Sequence, residues 1–102
     1  MKIDATWDPN KALGNERRHD GIRFVDAATV LADPLAITVF DASHSDTEER
    51  WFTLGRTRDG QLLAVSHTFI EPNDAVDVIG VRIISARAAT RRERTQYEGG
   101  SR

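Results

Sequence analysis

The sequence contains no cysteine and no long apolar run, and these two absences remove several classes of protein. Without cysteine there is no disulfide, no thiol catalysis and no thiolate metal site, so a bacterial-type cytoplasm is the simplest location. No apolar run approaches the roughly 20 residues that a membrane-spanning helix needs. Residues 1–7 also lack the apolar segment of a secretory signal. We therefore expect a cytoplasmic protein that does not enter a membrane.

Signals for a metal or a nucleotide cofactor are also missing. His19, His44 and His67 have none of the short spacings that are typical of metal ligands. No glycine-rich phosphate loop is present, because the pair Gly99 and Gly100 is terminal and the other glycines are isolated. We predict no metal and no cofactor.

The charge is small overall and unevenly distributed. The chain has 14 basic and 16 acidic residues, which gives a formal net charge of −2. Residues 33–77 contain nine acidic residues against three arginines, whereas residues 82–94 contain five arginines and one glutamate. A small basic patch on an acidic chain fits a site that binds a few phosphates and argues against a transcription factor that binds duplex DNA alone.

The length and the apolar pattern predict a single domain over residues 1–102 that begins with two helices. Asp8 and Pro9 are typical of a helix start and predict a polar helix that reaches about His19. From residue 24 to residue 31, apolar residues recur at i, i+3, i+4 and i+7, which predicts an amphipathic helix. Asp33 and Pro34 predict its end.

Strand-like segments follow at residues 35–40, 49–56, 62–70 and 76–85. Their connections are too short for crossover helices, so the sheet should be antiparallel. Thr90 and Glu93 form a capping-box pattern that predicts a C-terminal helix and explains Glu93 without a catalytic role. The predicted fold is α+β: two N-terminal helices, a four-stranded antiparallel sheet and a C-terminal helix, with the helices on one side of the sheet.

One set of residues runs in order along nearly the whole chain. It consists of Trp7-Asp8-Pro9, Lys11, Asn15, Arg18-His19, Gly21-Ile22, Phe24, Ala27-Ala28, Asp33-Pro34-Leu35, Asp41, His44, Glu49-Arg50, Gly55, Leu62-Leu63, residues 82–88, Arg92-Glu93-Arg94 and Tyr97. In this set the chain resembles the BrnT family of toxins from type II toxin–antitoxin modules. It departs from the family pattern at Asp20, which is inserted after His19, and at residues 71–77, which are longer and more acidic.

The resemblance implies a RelE-like ribonuclease fold and cleavage of mRNA that inhibits translation. It also implies a BrnA-type ribbon-helix-helix antitoxin that neutralises the toxin, forms a heterotetramer with it and is needed for binding to operator DNA. We therefore expect a metal-independent endoribonuclease that acts on mRNA, including mRNA on the ribosome. The alternative is a catalytically inactive relative that only binds the antitoxin.

RNA cleavage without a metal needs a base for the 2′-hydroxyl, cations for the phosphorane and an acid for the leaving oxygen. Arg82 and Arg87 are the candidate catalytic cations, since a guanidinium grips phosphate in two places. Alternatively, Arg82 pairs with a carboxylate at the sheet edge and Arg87 is solvated. His67 and His44 are the candidate proton-transfer groups. However, His67 shares a face with apolar residues and could be a core histidine, and His44 lies in a polar loop where it could simply be exposed.

Several other side chains are candidates for RNA contacts. The basic ones are Arg50, Lys11, Arg91, Arg92 and Arg94. The carboxylates of Glu48 and Glu49 could instead neutralise Arg50, and Lys11 could lie on a solvated helix face. The three arginines of the C-terminal helix suit either the antitoxin or the RNA backbone. Trp51 or Phe52 would stack on a base if exposed, and at least one of them should be buried.

Overall fold

The computed structural model describes residues 2–70 and 78–99, in which five strands form one sheet and three helices pack on its two faces. The strands are β1 (Lys2–Trp7), β2 (Ile37–Phe40), β3 (Trp51–Arg56), β4 (Leu62–Ile70) and β5 (Val78–Ala88). The helices are α1 (Pro9–Arg18), α2 (Phe24–Val30) and α3 (Arg91–Gly99), with a short 3-10 turn at Ala42–His44. None of these helices is long and apolar enough to span a membrane.

The sheet corrects the predicted fold, because it is mixed and has one strand more than the four that we expected. Its order is β1-β5-β4-β3-β2, and β1 runs parallel to β5 while the other neighbours are antiparallel. Short connections do force antiparallel pairing between consecutive strands. Strand β1, however, pairs with β5, and the long stretch of chain between these two strands forms the crossover that a parallel pair needs. The class is α+β, as predicted.

The helices lie on both faces of the sheet, so the prediction that they share one side was wrong. Residues of α2 and its flanks pack with Leu63, Val65 and Ile83 in the larger core. On the other face, Leu62 and Ala64 form a smaller core with Tyr97 of α3 packed against it. Because successive strand residues point to opposite faces, the two cores share β4 and lie on either side of it.

The first helix starts as predicted, whereas the second is shorter than predicted. The Asp8 carboxylate accepts a hydrogen bond from the backbone N–H of Asn10 at 2.9 Å, and Pro9 occupies the first helical position. Helix α2 ends at Val30, before the predicted stop at Asp33 and Pro34. The buried side of α2 is formed by Phe24, Ala27 and Val30, which is one helical face.

The end of the chain differs from prediction in where the last strand stops. We expected it to end at residue 85, but β5 continues to Ala88, and the predicted start at residues 76–77 and the acidic stretch 71–77 lie outside the described residues. The capping box is confirmed, because the Glu93 N–H donates to Thr90 Oγ1 at 3.1 Å and the Thr90 N–H donates to Glu93 Oε1 at 2.8 Å. Helix α3 therefore begins after Thr90, and Arg87 belongs to the strand.

Candidate active site

A bulge in β5 brings the two predicted catalytic arginines to the same face of the sheet. Ser66 pairs with Ser85 and His67 pairs with Ile83, so Ile84 has no partner on β4. In a regular strand Arg82 and Arg87 would point to opposite faces, because an odd number of positions separates them. The extra residue reverses this alternation, and both arginines lie on the face that carries α3.

On this face a pocket of about 310 Å³ is open to solvent next to α3. Three strands and the loop after β2 line it. The lining residues are Asp41, His44, Arg50, Phe52, Ser66, Ser85 and Arg87. Four of the residues named as site candidates, His44, Arg50, Phe52 and Arg87, are thus brought together.

Arg87 is fixed in the pocket from three sides. Its Nη1 and Nη2 donate to the two carboxylate oxygens of Glu93 at 2.7 and 2.9 Å, and Nη1 also donates to the Ala88 carbonyl at 3.3 Å. The guanidinium carbon lies 5.8 Å from the ring centre of Phe52. These bonds use about three of the five N–H groups of an arginine, so about two remain for a ligand.

The pair of Arg87 and Glu93 shifts the pKa values of both groups. The hydrogen bond from Arg87 lowers the pKa of the Glu93 carboxyl to about 2, and the same bond raises the pKa of Arg87. Glu93 therefore remains an anion at neutral pH and acts as more than a helix cap. Our prediction that the capping box explains Glu93 fully was incomplete.

At the opposite side of the pocket, Asp41 orients His44. The Asp41 carboxylate accepts hydrogen bonds from the Ser43 hydroxyl and from Nδ1 of His44, both at 2.9 Å. Burial raises the pKa of Asp41, but these hydrogen bonds outweigh it and hold the pKa below its ordinary value. Since an ionised carboxylate can only accept, the proton of a neutral His44 ring lies on Nδ1, and Nε2 is left as a proton acceptor.

The Arg50 side chain lines the pocket and has few polar partners among the residues that the structure describes. Its Nη2 is 3.9 Å from the Glu48 carboxylate, whereas Nη2 of Arg82 donates to the same carboxylate at 2.6 Å. The Nε–H of Arg50 is buried and has no hydrogen-bond partner among the residues that the structure describes. Glu48 therefore neutralises Arg82 more than Arg50. Arg82 pairs with a carboxylate, as our alternative interpretation stated, and it does not line the pocket.

His67, the other predicted proton-transfer group, lies on the opposite face of the sheet. The residue is 1% exposed, and its Nε2 is 2.7 Å from the Thr53 hydroxyl. Burial lowers the pKa of His67 to about 4, so the ring is neutral at physiological pH. These contacts agree with the interpretation of His67 as a hydrogen-bonded core residue.

The remaining predicted RNA contacts lie outside the pocket. Lys11 lines a neighbouring groove beside α1. Arg91, Arg92 and Arg94 are exposed on α3, where Arg94 is 3.5 Å from Glu98. The structure therefore places Lys11 on α1, apart from the three arginines on α3.

Sequence reasoning missed three residues of this pocket as functional candidates, Asp41, Ser66 and Ser85, and one residue behind it, Asn15. Asp41 and His44 are three residues apart in a tight turn, and this spacing could have identified the pair. Ser66 and Ser85 are neighbours across β4 and β5, which no local pattern reveals. Asn15 does not touch the pocket, but its fully buried side chain forms hydrogen bonds with both the N–H and the C=O of Ala86, the residue between Ser85 and Arg87.

Fold and pocket together define a small α+β domain with a cationic, partly polar site suited to an anionic ligand. The sequence model of the ribonuclease toxin BrnT of type II toxin–antitoxin systems matches residues 7–93, so the chain belongs to the BrnT family. Membership in this family implies an antitoxin partner. No curated protein matches the chain.

The crystal structure of the ribonuclease toxin BrnT from Brucella abortus is similar to this fold. The two structures agree with a TM-score of 0.58 at 18% sequence identity, over 89% of this chain and 100% of the Brucella chain. At this identity the similarity supports the fold alone.

Proposed function

We propose that this protein is a toxin that cleaves mRNA in the cytoplasm, including mRNA on the ribosome, without a metal ion and thereby inhibits translation. The observation that carries the proposal is a single pocket lined by two arginines and by a histidine bound to aspartate. Cleavage of a phosphodiester needs cations around the phosphate and a proton acceptor near the 2′-hydroxyl. Family membership supports the class of reaction.

In this proposal Arg50 and Arg87 bind the scissile phosphate. Arg87 is held in one orientation by Glu93 and Phe52, so little side-chain freedom is lost when a ligand binds. Arg50 lines the same pocket, and its guanidinium has a carboxylate only at a distance, with Glu48 3.9 Å from Nη2. Preorganised cations of this kind stabilise the charge that develops on the phosphorane. Arg82 acts indirectly, since it draws Glu48 away from Arg50.

His44 is the proposed base, and Asp41 is the residue that positions it. Nε2 of His44 takes the proton of the 2′-hydroxyl, and the 2′-oxygen attacks phosphorus as the bond to the 5′-oxygen breaks. The leaving oxygen takes a proton from water, which reaches the site because the His44 side chain is 67% exposed, and the hydroxide that is formed takes the proton from His44. The products are a 2′,3′-cyclic phosphate and a 5′-hydroxyl. The buried ring of His67 is on the far side of the sheet and has no part in this scheme.

The antitoxin in this proposal is a BrnA-type ribbon-helix-helix protein that forms a heterotetramer with the toxin. Operator DNA would be bound only through the antitoxin, because the chain is acidic overall and its cationic sites are small. The exposed arginines of α3 lie on the same face as the pocket. An acidic antitoxin segment that binds them would also cover the entrance used by RNA.

The test is cleavage of synthetic single-stranded RNA by the purified chain in the presence of EDTA. Mass spectrometry should detect 2′,3′-cyclic phosphate and 5′-hydroxyl ends. His44→Ala should reduce the rate about 100-fold or more, because it removes the base. Arg87→Gln should cause a loss of about 100-fold through weaker charge stabilisation. His19→Ala and Arg58→Gln make the same chemical changes outside the pocket and should cleave at the wild-type rate.

The outcome against the proposal is equally specific. If the wild-type chain leaves RNA intact, and its expression in bacteria leaves growth and mRNA unchanged, ribonuclease activity is excluded. A chain that still forms a stable complex with its antitoxin would then be the inactive binding relative. Equal loss of cleavage in His44→Ala and His19→Ala would remove His44 from the mechanism.

A further inference from the structure

A second groove of about 500 Å³ adjoins the pocket beside α1. Its lining includes Lys11, Gly14 and Arg18 from α1, Arg50 directly before β3, and Ser85 from β5. Arg50 and Ser85 also line the pocket, so the two cavities adjoin at these residues. A ligand in the pocket that reaches past Arg50 would enter the groove along α1.

The groove has a stronger positive charge than the pocket. Neither Lys11 nor Arg18 forms a salt bridge within residues 2–70 and 78–99, and no acidic residue lines the groove. Arg50 approaches a carboxylate only at 3.9 Å. In the pocket, by contrast, Asp41 is part of the wall and Arg87 is paired with Glu93. Uncompensated cations in a shared depression attract an anion.

Gly14 lines the groove beside the Arg18 side chain. A Cβ at this position would lie 3.1 Å from Nη1 of Arg18, so the guanidinium crosses the helix where there is no side chain. Glycine is less favourable than alanine inside a helix. At this position the absence of a Cβ leaves room for the Arg18 guanidinium, which lines the groove.

We infer that this groove binds a second phosphate of the RNA strand, adjacent to the phosphate in the pocket. The inference rests on the proposed function and specifies its substrate as single-stranded RNA that has at least two phosphates. A single RNA strand that passes through both cavities accounts for the presence of Arg50 in each lining, because Arg50 then lies between the two phosphates. Phosphate is the fitting ligand because Lys11 and Arg18 offer only hydrogen-bond donors.

Binding can be measured by fluorescence anisotropy with a trinucleotide that carries 2′-O-methyl groups and is not cleaved. Lys11→Gln and Arg18→Gln should each weaken binding about tenfold, as expected for the loss of a charged hydrogen bond. The slope of log affinity against log salt concentration should fall by about 0.7 when one single-strand phosphate contact is lost. Arg17→Gln is the matched control, since Arg17 is exposed on the same helix outside the groove.

A neutral methylphosphonate, placed at each phosphate in turn, identifies the phosphate involved. When it replaces the phosphate next to the one in the pocket, the methylphosphonate should lower the affinity of the wild type about tenfold. The same replacement should change the affinity of the double variant Lys11→Gln/Arg18→Gln much less. In cleavage, the wild type should prefer a substrate with two phosphates over a dinucleoside monophosphate, and the double variant should lose this preference.

The results separate the groove from the proposed function. If Arg17→Gln weakens binding as much as Arg18→Gln, or if both groove variants bind like the wild type, the inference is wrong. If the wild type binds RNA as described but cleaves none, the ribonuclease proposal fails and the groove stands. If cleavage occurs with no preference for two phosphates, the ribonuclease stands and the groove fails.

Discussion

Replacement of Asn15 by alanine tests whether one buried side chain holds the active-site strand in place. The Asn15 side chain is 0% exposed. Its Nδ2 donates to the carbonyls of Ile22 at 3.2 Å and Ala86 at 2.8 Å, and its Oδ1 accepts the Ala86 N–H at 3.0 Å. The pairing of β1 with β5 ends at Ile83, so the amide of Asn15 supplies the partners that a neighbouring strand would have given to Ala86.

The expected loss of stability follows from these three hydrogen bonds. Asn15→Ala leaves one buried N–H and two buried C=O groups without this partner, and each such group costs about 1 kcal/mol or more. The sum is about 3 kcal/mol, a large share of the roughly 5–15 kcal/mol that stabilises a typical domain. For a domain of this size the melting temperature should fall by about 12–24 °C. Urea unfolding at neutral pH measures the free energy directly.

Asn10→Ala serves as the control, because the exposed Asn10 lies on the same helix. It should change stability by less than about 0.5 kcal/mol. Asn15→Ala should also reduce RNA cleavage at a temperature where it is still folded, since Ser85 and Arg87 flank the released residue. A loss of less than about 1 kcal/mol in Asn15→Ala would show that the hydrogen bonds to Ala86 do not matter for stability.

Two further predictions concern the opposite face of the sheet and the end of the chain. Burial lowers the pKa of His67 from 6.5 to about 4, so between these values the unfolded chain binds a proton that the folded chain does not. The contribution of His67 to the free energy of unfolding, measured in urea, should therefore fall by roughly 2 kcal/mol from pH 7 to pH 5. His67→Gln should remove this part of the dependence of stability on pH. Equal dependence in both proteins would contradict the prediction. The Tyr97 hydroxyl donates to Asp33 Oδ2 at 2.6 Å and connects α3 to the segment after α2. Tyr97→Phe should lower the melting temperature by about 4–8 °C, which corresponds to about 1 kcal/mol, and an unchanged melting curve would exclude a role of this bond in stability.

Local signals in the sequence predicted the elements whose structure depends on local chemistry. The start of α1 at Asp8 and Pro9, the capping box of Thr90 and Glu93, and the four antiparallel strands all follow from residues close to each other in the chain. Strand β1 was missed although Ile3, Ala5 and Trp7 alternate with polar residues. Six residues are a weak pattern, and the partner that stabilises this strand lies near the other end of the chain.

The candidate site could be predicted in its residue types but not in its geometry. The pattern of β5 gives no sign of the bulge at Ile84, because a single inserted residue leaves the apolar run intact. Without it, Arg82 and Arg87 would face opposite sides of the sheet. His67 could be a core residue or a catalytic one until the helices on its face were known. Tertiary packing determines both the face on which each arginine lies and the burial of His67, and a single sequence specifies tertiary packing least directly.

The density of basic residues in the sequence is a poor guide to where the free positive charge lies. Arg82 and Arg87, in the most basic segment, each have a glutamate within 2.7 Å. Arg50 follows two glutamates in the sequence, which suggests that it is neutralised, yet Glu48 turns to Arg82 and leaves Arg50 nearly unpaired. Since an anionic ligand competes with carboxylates for every cation, binding is strongest where carboxylates are absent. Of the two arginines that approach Glu48, Arg50 is the less neutralised, so RNA affinity should depend more on Arg50 than on Arg82.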